Sequence, residues 1–204
     1  YQNRPGSSPS QIANPDLTWE TSNNFNAGID FSILNNRIGG TVEYYNRIGE
    51  ELLLNVPVSR TSGFSSATRN IGRIENKGVE ITMNFAPVVS SSPDGFNWNF
   101  DLNYTANRNQ ILELPEGEDI LNGSQVYSEG RPIRTWYLRE WAGVNPADGT
   151  PLWFDGEGGT VDSYGAAPRE YLSNAEPQWF GGMTHTFSYK GLSLSAFFFT
   201  MQGH

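Results

Sequence analysis

The chain has no cysteine in its 204 residues, which excludes a disulfide framework and any thiolate-ligated metal site. It has no run of about 18 apolar residues, so it offers no bilayer-spanning helix. Its longest greasy cluster, Ala196 to Phe199, is far too short. Charge is scarce, at 17% of residues, below the quarter typical of soluble proteins. Basic residues are the scarcer sign, with 13 Lys and Arg against 22 Asp and Glu and a net charge of −9. A nucleic-acid surface needs clustered Lys and Arg to displace counterions, and no basic stripe exists, so nucleic acid is excluded as a partner. The motifs of common enzymes are also missing: there is no G-x-S-x-G elbow, phosphate loop or H-E-x-x-H. The histidines, His185 and His204, lack a zinc-binding spacing. No metal site, cofactor or enzymatic activity is expected. No secretory leader is visible at Tyr1, so the chain is expected to be processed or to be a piece of something longer.

What the sequence does have is long alternation. Phe96, Trp98, Phe100, Leu102, Tyr104 and Ala106 are apolar, and Asn97, Asn99, Asp101, Asn103 and Thr105 between them are polar. Side chains of a strand point to opposite faces in turn, so this segment has one apolar and one polar face. Soluble half-buried strands need only about five or six such residues. Phe96 to Ala106, at ~3.4 Å per residue and a ~45° tilt, rises roughly 26 Å, the height of an outer-membrane barrel's apolar band.

The same pattern recurs. It predicts strands over residues 18–34, 37–48, 71–86, 96–107, 181–190 and 192–201. Phe25, Ile29 and Phe31, then Val42 and Tyr44, then Val79, Ile81 and Phe85, join the Phe96–Tyr104 series on the apolar face. Glu43, Arg47 and Glu80 join Asn97, Asn99, Asp101 and Asn103 on the polar face. Phe197 and Phe199 interrupt the polar face of the last segment, as part of an aromatic girdle or as packing against a lumen plug. The first eighteen residues, with Pro5, Pro9 and Pro15, read as irregular.

Connections alternate in length. Asn35-Asn36, Pro87 to Gly95 and Lys190-Gly191 are short, residues 49–69 form a longer link, and 108–180 is a long stretch without sustained period. Outer-membrane barrels have tight periplasmic turns and long extracellular loops. The expected fold is therefore all-β: an antiparallel transmembrane β-barrel, here a partial barrel of about six strands with long extracellular loops. The apolar face would meet lipid and the polar face the lumen.

The segments "NPDLTWETSNNFNAGIDFSILNNRIGGTVEYYNR", "ELLLNVPVSRTSGF", "RNIGRIENKGVEITM", "GRPIRTWYLREWAGVNPADGTPLWF" and "PQWFGGMTHTFSYKGLSLSAFF" occur in that order. Together they resemble the SusC/RagA-type TonB-linked outer-membrane transporters. Asn70-Ile71-Gly72 and Asn76-Lys77-Gly78-Val79-Glu80 are the most specific part. The resemblance implies a barrel of about 22 strands with a lumen plug, of which this chain would be an internal fragment. It further implies a Gram-negative, Bacteroidetes-like outer membrane, and import of oligosaccharides or oligopeptides. The partners it implies are a SusD-like lipoprotein lid and a TonB energy-coupling complex acting through parts of the protein outside this chain.

Candidate contact residues lie in the long stretch: Trp136, Tyr137, Trp141, Trp153 and Phe154. Aromatic faces at a loop surface can stack on sugars or pack on a partner. The plainer reading is that they order the loop or mark the membrane interface. Asp148-Gly149 and Asp155-Gly156-Glu157 fit no calcium-loop register and read as acidic turns. The polar-face residues line a substrate path or hydrate the lumen and bond a plug; both readings demand the same residue types. An all-β carbohydrate-binding module, with its apolar face in a sandwich core, and a structural barrel without transport remain the alternatives.

Overall fold

The computed structural model describes residues 9–203 with the exception of Ile71. The irregular start over 1–8, the first residue of the expected 71–86 strand and His204 thus lie outside the described residues. In chain order the strands are β1 (Thr21–Ile33), β2 (Ile38–Glu50), β3 (Leu53–Pro57), β4 (Ser66–Asn70), β5 (Arg73–Val88) and β6 (Asn97–Glu113). Short strands follow: β7 (Ile120–Asn122), β8 (Gln125–Tyr127), β9 (Thr135–Leu138), β10 (Trp141–Val144), β11 (Pro151–Phe154), β12 (Thr160–Val161) and β13 (Glu170–Asn174). β14 (Trp179–Tyr189) and β15 (Leu192–Gln202) complete the chain.

The six long strands form one antiparallel sheet in the order β1-β2-β5-β6-β14-β15. Its tight turns use left-handed backbone where the chain must reverse. Asn35 and Asn36 have φ of 54° and 64°, and Lys190-Gly191 has 47° and 78°, conformations that Asn and Gly adopt at least cost. The long connections carry their own small sheets: β3-β4, β13-β9-β8-β7 and β10-β11-β12.

Register aligns the apolar residues into one continuous face. Ile29 lies opposite Val42, Val42 opposite Ile81, Ile81 opposite Tyr104, and Met83 opposite Leu102. Leu102 in turn lies opposite Met183, and Met183 opposite Phe198. Among the described residues nothing covers this face at its ends: Ile29 is 70% exposed and Leu194 66%. A sandwich would bury these side chains under a second sheet; among the described residues no sheet does so. The molecule is an all-β partial barrel, as the alternation requires.

Two expectations need correction. The strand expected to end at 107 continues to Glu113, so the long connection starts later than 108. The reason is an inversion of the pattern. At Ile74 and Ile111, which are paired, the apolar residues move to the polar-face register and are buried with Leu114 and Ile120 beneath the loop. On the other face, Lys77 lies opposite Arg108 and Glu75 opposite Gln110. Alternation persists but with its sign reversed, so it breaks the period read from Phe96. The long stretch also ends earlier than 180, because Trp179 and Phe180 belong to β14; between its ends it holds the short strands β7 to β13.

Candidate functional site

The polar face of the sheet is exposed and chemically mixed. Glu43 and Glu80 are direct register partners, both exposed, with no cation in ion-pair range among the described residues. Like charges placed opposite each other repel, so the pair makes a local negative spot. Arg47 donates from Nε to Asn24 Oδ1 at 3.0 Å, and the Tyr45 hydroxyl donates to Asn107 Oδ1 at 2.9 Å. Asn103 Oδ1 accepts the Gly182 N–H at 2.7 Å. Asn99 and Asp101 stand exposed on the same face, whereas Asn97 at its foot accepts the Ser90 N–H at 2.8 Å. Glu43, Tyr45, Arg47, Asn76 and Glu80 surround a shallow recess of about 420 Å³.

The last hairpin departs from this polarity. Phe180 opposite Met201, and Phe197 and Phe199 opposite Thr184 and Gly182, lie in the polar-face register. A Cβ on Gly182 would sit 2.8 Å from the Phe197 ring, so the missing side chain makes room for that ring.

The loop aromatics separate into two groups. Trp141 on β10 lies opposite Trp153 on β11, ring centroids 5.8 Å apart and edge-on, and Tyr164 meets Trp153 at 5.5 Å. The Arg139 guanidinium lies 4.6 Å above the Tyr164 ring. Trp141 and Tyr164 are 54% and 53% exposed. This ridge can offer flat apolar faces to a partner. Phe154, one residue on, is exposed on the opposite side of its strand. Tyr137 instead packs on Tyr171 at 5.1 Å, with Arg131 3.8 Å above the Tyr171 ring. Tyr171 donates to Asp119, which, with burial, pushes its hydroxyl pKa up. Trp136 is half-buried beside Gln125. Tyr164, Tyr171, Arg131 and Arg139 are absent from the sequence-level candidates. Arginines interleaved with aromatics were the available signal, but only the fold shows which arginine meets which ring.

The acidic turns bond to themselves. Asp155 Oδ1 accepts the N–H groups of Glu157 and Gly159, each at 2.8 Å, and Asp148 Oδ1 accepts the Thr150 N–H at 2.9 Å. The donors from Glu157 and Gly159 hold the Asp155 carboxyl below the usual carboxylate range. A depressed folded pKa contributes order that is present above the ordinary Asp value and lost as pH falls through the depressed one. Hydrogen exchange at Gly159, corrected for intrinsic rate, is expected to accelerate over that acidic window. Asp155→Ala should show fast exchange throughout; unchanged protection in the variant would refute the role.

Comparison with known proteins gives a consistent result. Residues 1–196 match the family model described as TonB dependent receptor-like, beta-barrel. TonB-dependent receptor P3 of Formosa agariphila is 30% identical over 92% of this chain and 21% of its own length. TonB-dependent receptor SusC of Bacteroides thetaiotaomicron is 38% identical over 52% of this chain and 10% of its own. The RagAB peptide transporter structure superposes on all of this chain and 23% of its own, with a TM-score of 0.85 and 30% identity. The chain spans about a fifth of the length of relatives such as P3.

Proposed function

This chain belongs to the TonB-dependent receptor-like β-barrel family, and from that premise we propose that it forms one stretch of the wall of an outer-membrane nutrient importer. The observation that carries the proposal is the unbroken apolar face shared by six antiparallel strands and left uncovered. Water penalises such a surface on this scale; a hydrocarbon surround does not. Phe25, Ile29, Phe31, Val42, Tyr44, Val79, Ile81, Phe85, Phe96, Trp98, Phe100, Leu102 and Tyr104 then meet lipid. Glu43, Arg47, Glu80, Asn97, Asn99, Asp101 and Asn103 face the lumen, where they hydrate a path or bond a plug supplied by the rest of the protein. The tight turns lie on the periplasmic side and the small loop sheets outside.

The cargo class is oligosaccharide or oligopeptide. The exposed Trp141–Trp153–Tyr164 ridge supports a contact made outside the membrane, either with cargo or with a SusD-like lipoprotein lid. Energy would reach the barrel through a TonB complex acting on segments outside this chain. The test is the Trp141→Ala/Trp153→Ala double variant in the full-length protein. Barrel assembly should be unchanged, since loop-tip rings add little to strand pairing. Uptake or lid co-purification should fall about tenfold, the loss of one aromatic contact centre. Wild-type values for both would remove the ridge from the mechanism.

A further inference from the structure

We propose that Lys77 and Arg108 seat the phosphate of an outer-leaflet lipid headgroup on the outside of the barrel. This rests on the reading that the apolar face meets lipid and that the long connections lie outside the cell. The two side chains are register partners on β5 and β6, in the same facing as the apolar pairs Val79–Ala106 and Ile81–Tyr104 just below them. At their row the face changes from apolar to charged, while the opposite face begins to bury Ile74 and Ile111. Lys77 and Arg108 therefore stand where hydrocarbon gives way to headgroups. Tyr44, Tyr104 and Trp179, residues of the kind that anchors at that level, line the same recess, an open space of about 420 Å³. The rings of Tyr104 and Trp179 pack at 5.9 Å.

The charges at this row do not cancel. Lys77 Nζ is bound to Glu75 Oε2 at 2.6 Å, and Asn46 Nδ2 holds the other oxygen of Glu75 at 2.9 Å. The exposed Arg108 has no ion pair and no side-chain hydrogen bond among the described residues. With Lys77 held by Glu75, the guanidinium of Arg108 is the charge left over at this row, and a second anion there would meet both cations. In a chain of net charge −9, an uncompensated arginine at the edge of an apolar face marks a site for negative charge. A guanidinium fork binds two phosphate oxygens at once. Val79 and Ala106, the apolar pair next along the same face, also line the recess, so a ligand with a phosphate above and acyl chains below satisfies both halves. A soluble partner's carboxylate would satisfy only the upper one.

The experiment uses the full-length protein in detergent, with a phosphorylated glycolipid, its dephosphorylated form and inorganic phosphate as probes. Lipid phosphorus retained after washing and the thermal shift on titration are measured for wild type, Arg108→Gln and Glu75→Gln. The phosphorylated lipid should be retained and should raise the melting temperature, and the dephosphorylated form should do neither. Arg108→Gln should weaken the effect roughly tenfold, as expected for a lost charge-assisted bond. Glu75→Gln should strengthen it by releasing Lys77, a gain that a purely structural role for this cluster would not produce. Equal binding of the dephosphorylated lipid, or an unaltered response in Arg108→Gln, would overturn the proposal. So would inorganic phosphate reproducing the whole shift with no lipid retained. Solvent accessibility at Leu102 separates the two levels: a water-exposed Leu102 defeats the lipid-face reading, whereas a lipid-exposed one without phosphate selectivity defeats this seat alone.

Discussion

Replacing Gly78 by valine is expected to be among the most damaging single changes in the chain. A Cβ there would lie 2.2 Å from the Ala106 carbonyl oxygen and 2.7 Å from the Tyr45 hydroxyl. The carbonyl belongs to the neighbouring strand and cannot yield without opening the β5–β6 ladder. The Tyr45 ring covers the glycine and, from there, donates to Asn107 Oδ1, so a branched side chain also breaks a bond linking β2 to β6. Overpacking of this kind costs up to about 3 kcal/mol, and the displaced hydrogen bond adds about 1 kcal/mol. Urea unfolding of the full-length barrel in detergent measures the loss directly. Alanine should be milder, because it adds the Cβ alone. Wild-type stability of Gly78→Val would mean that Tyr45 does not lie over position 78. The contact also accounts for glycine within the Asn76-Lys77-Gly78-Val79-Glu80 segment, where the sequence alone gave a resemblance but no cause.

Phe100→Arg should also be severe, for a different reason. Phe100 lies midway along the apolar stretch of β6, against Phe85 at 5.4 Å and His185 at 4.7 Å. Arginine at the midplane of a barrel's lipid face costs about 2–4 kcal/mol. The neighbouring Asp101→Arg change, on the opposite face, meets no hydrocarbon and should be close to neutral. The contrast between adjacent positions is the informative quantity, since a general sensitivity of β6 would penalise both. Equal costs at 100 and 101, measured by unfolding in lipid, would argue against a one-sided face.

The sheet was legible because its strands obey one rule over many residues. Wherever one side meets an apolar surround and the other a polar one, alternation fixes which residues share a face. Legibility ended where that rule reversed. Ile111 is buried and Arg108 exposed, so the upper part of β6 carries the opposite pattern and read as loop. The short strands β7 to β13 were hidden because each is five residues or fewer, too brief for periodicity to register. Trp141 and Trp153 could be picked out singly as exposed-contact candidates. Their pairing, the addition of Tyr164 and the capping by Arg139 depend on hairpin register and on contacts between residues 12, 11 and 25 positions apart. Tyr137 shows the converse: its packing on Tyr171 makes it part of the loop's own scaffold as well as a candidate contact. The stray aromatics Phe197 and Phe199 could be placed on the polar face from sequence, but the glycine that accommodates one of them could not.

The central claim is that the apolar face of this sheet is in contact with lipid, and adjacent positions on β6 test it most directly. Nitroxide labels at Leu102 and Asn103, placed one at a time in the full-length protein in liposomes, report their surroundings through collision with oxygen and with a water-soluble nickel chelate. The account predicts that the label at 102 is accessible to oxygen and shielded from nickel, and that the label at 103 shows the reverse. Nickel accessibility at 102 with oxygen-rich shielding at 103, or water exposure at both, would contradict it.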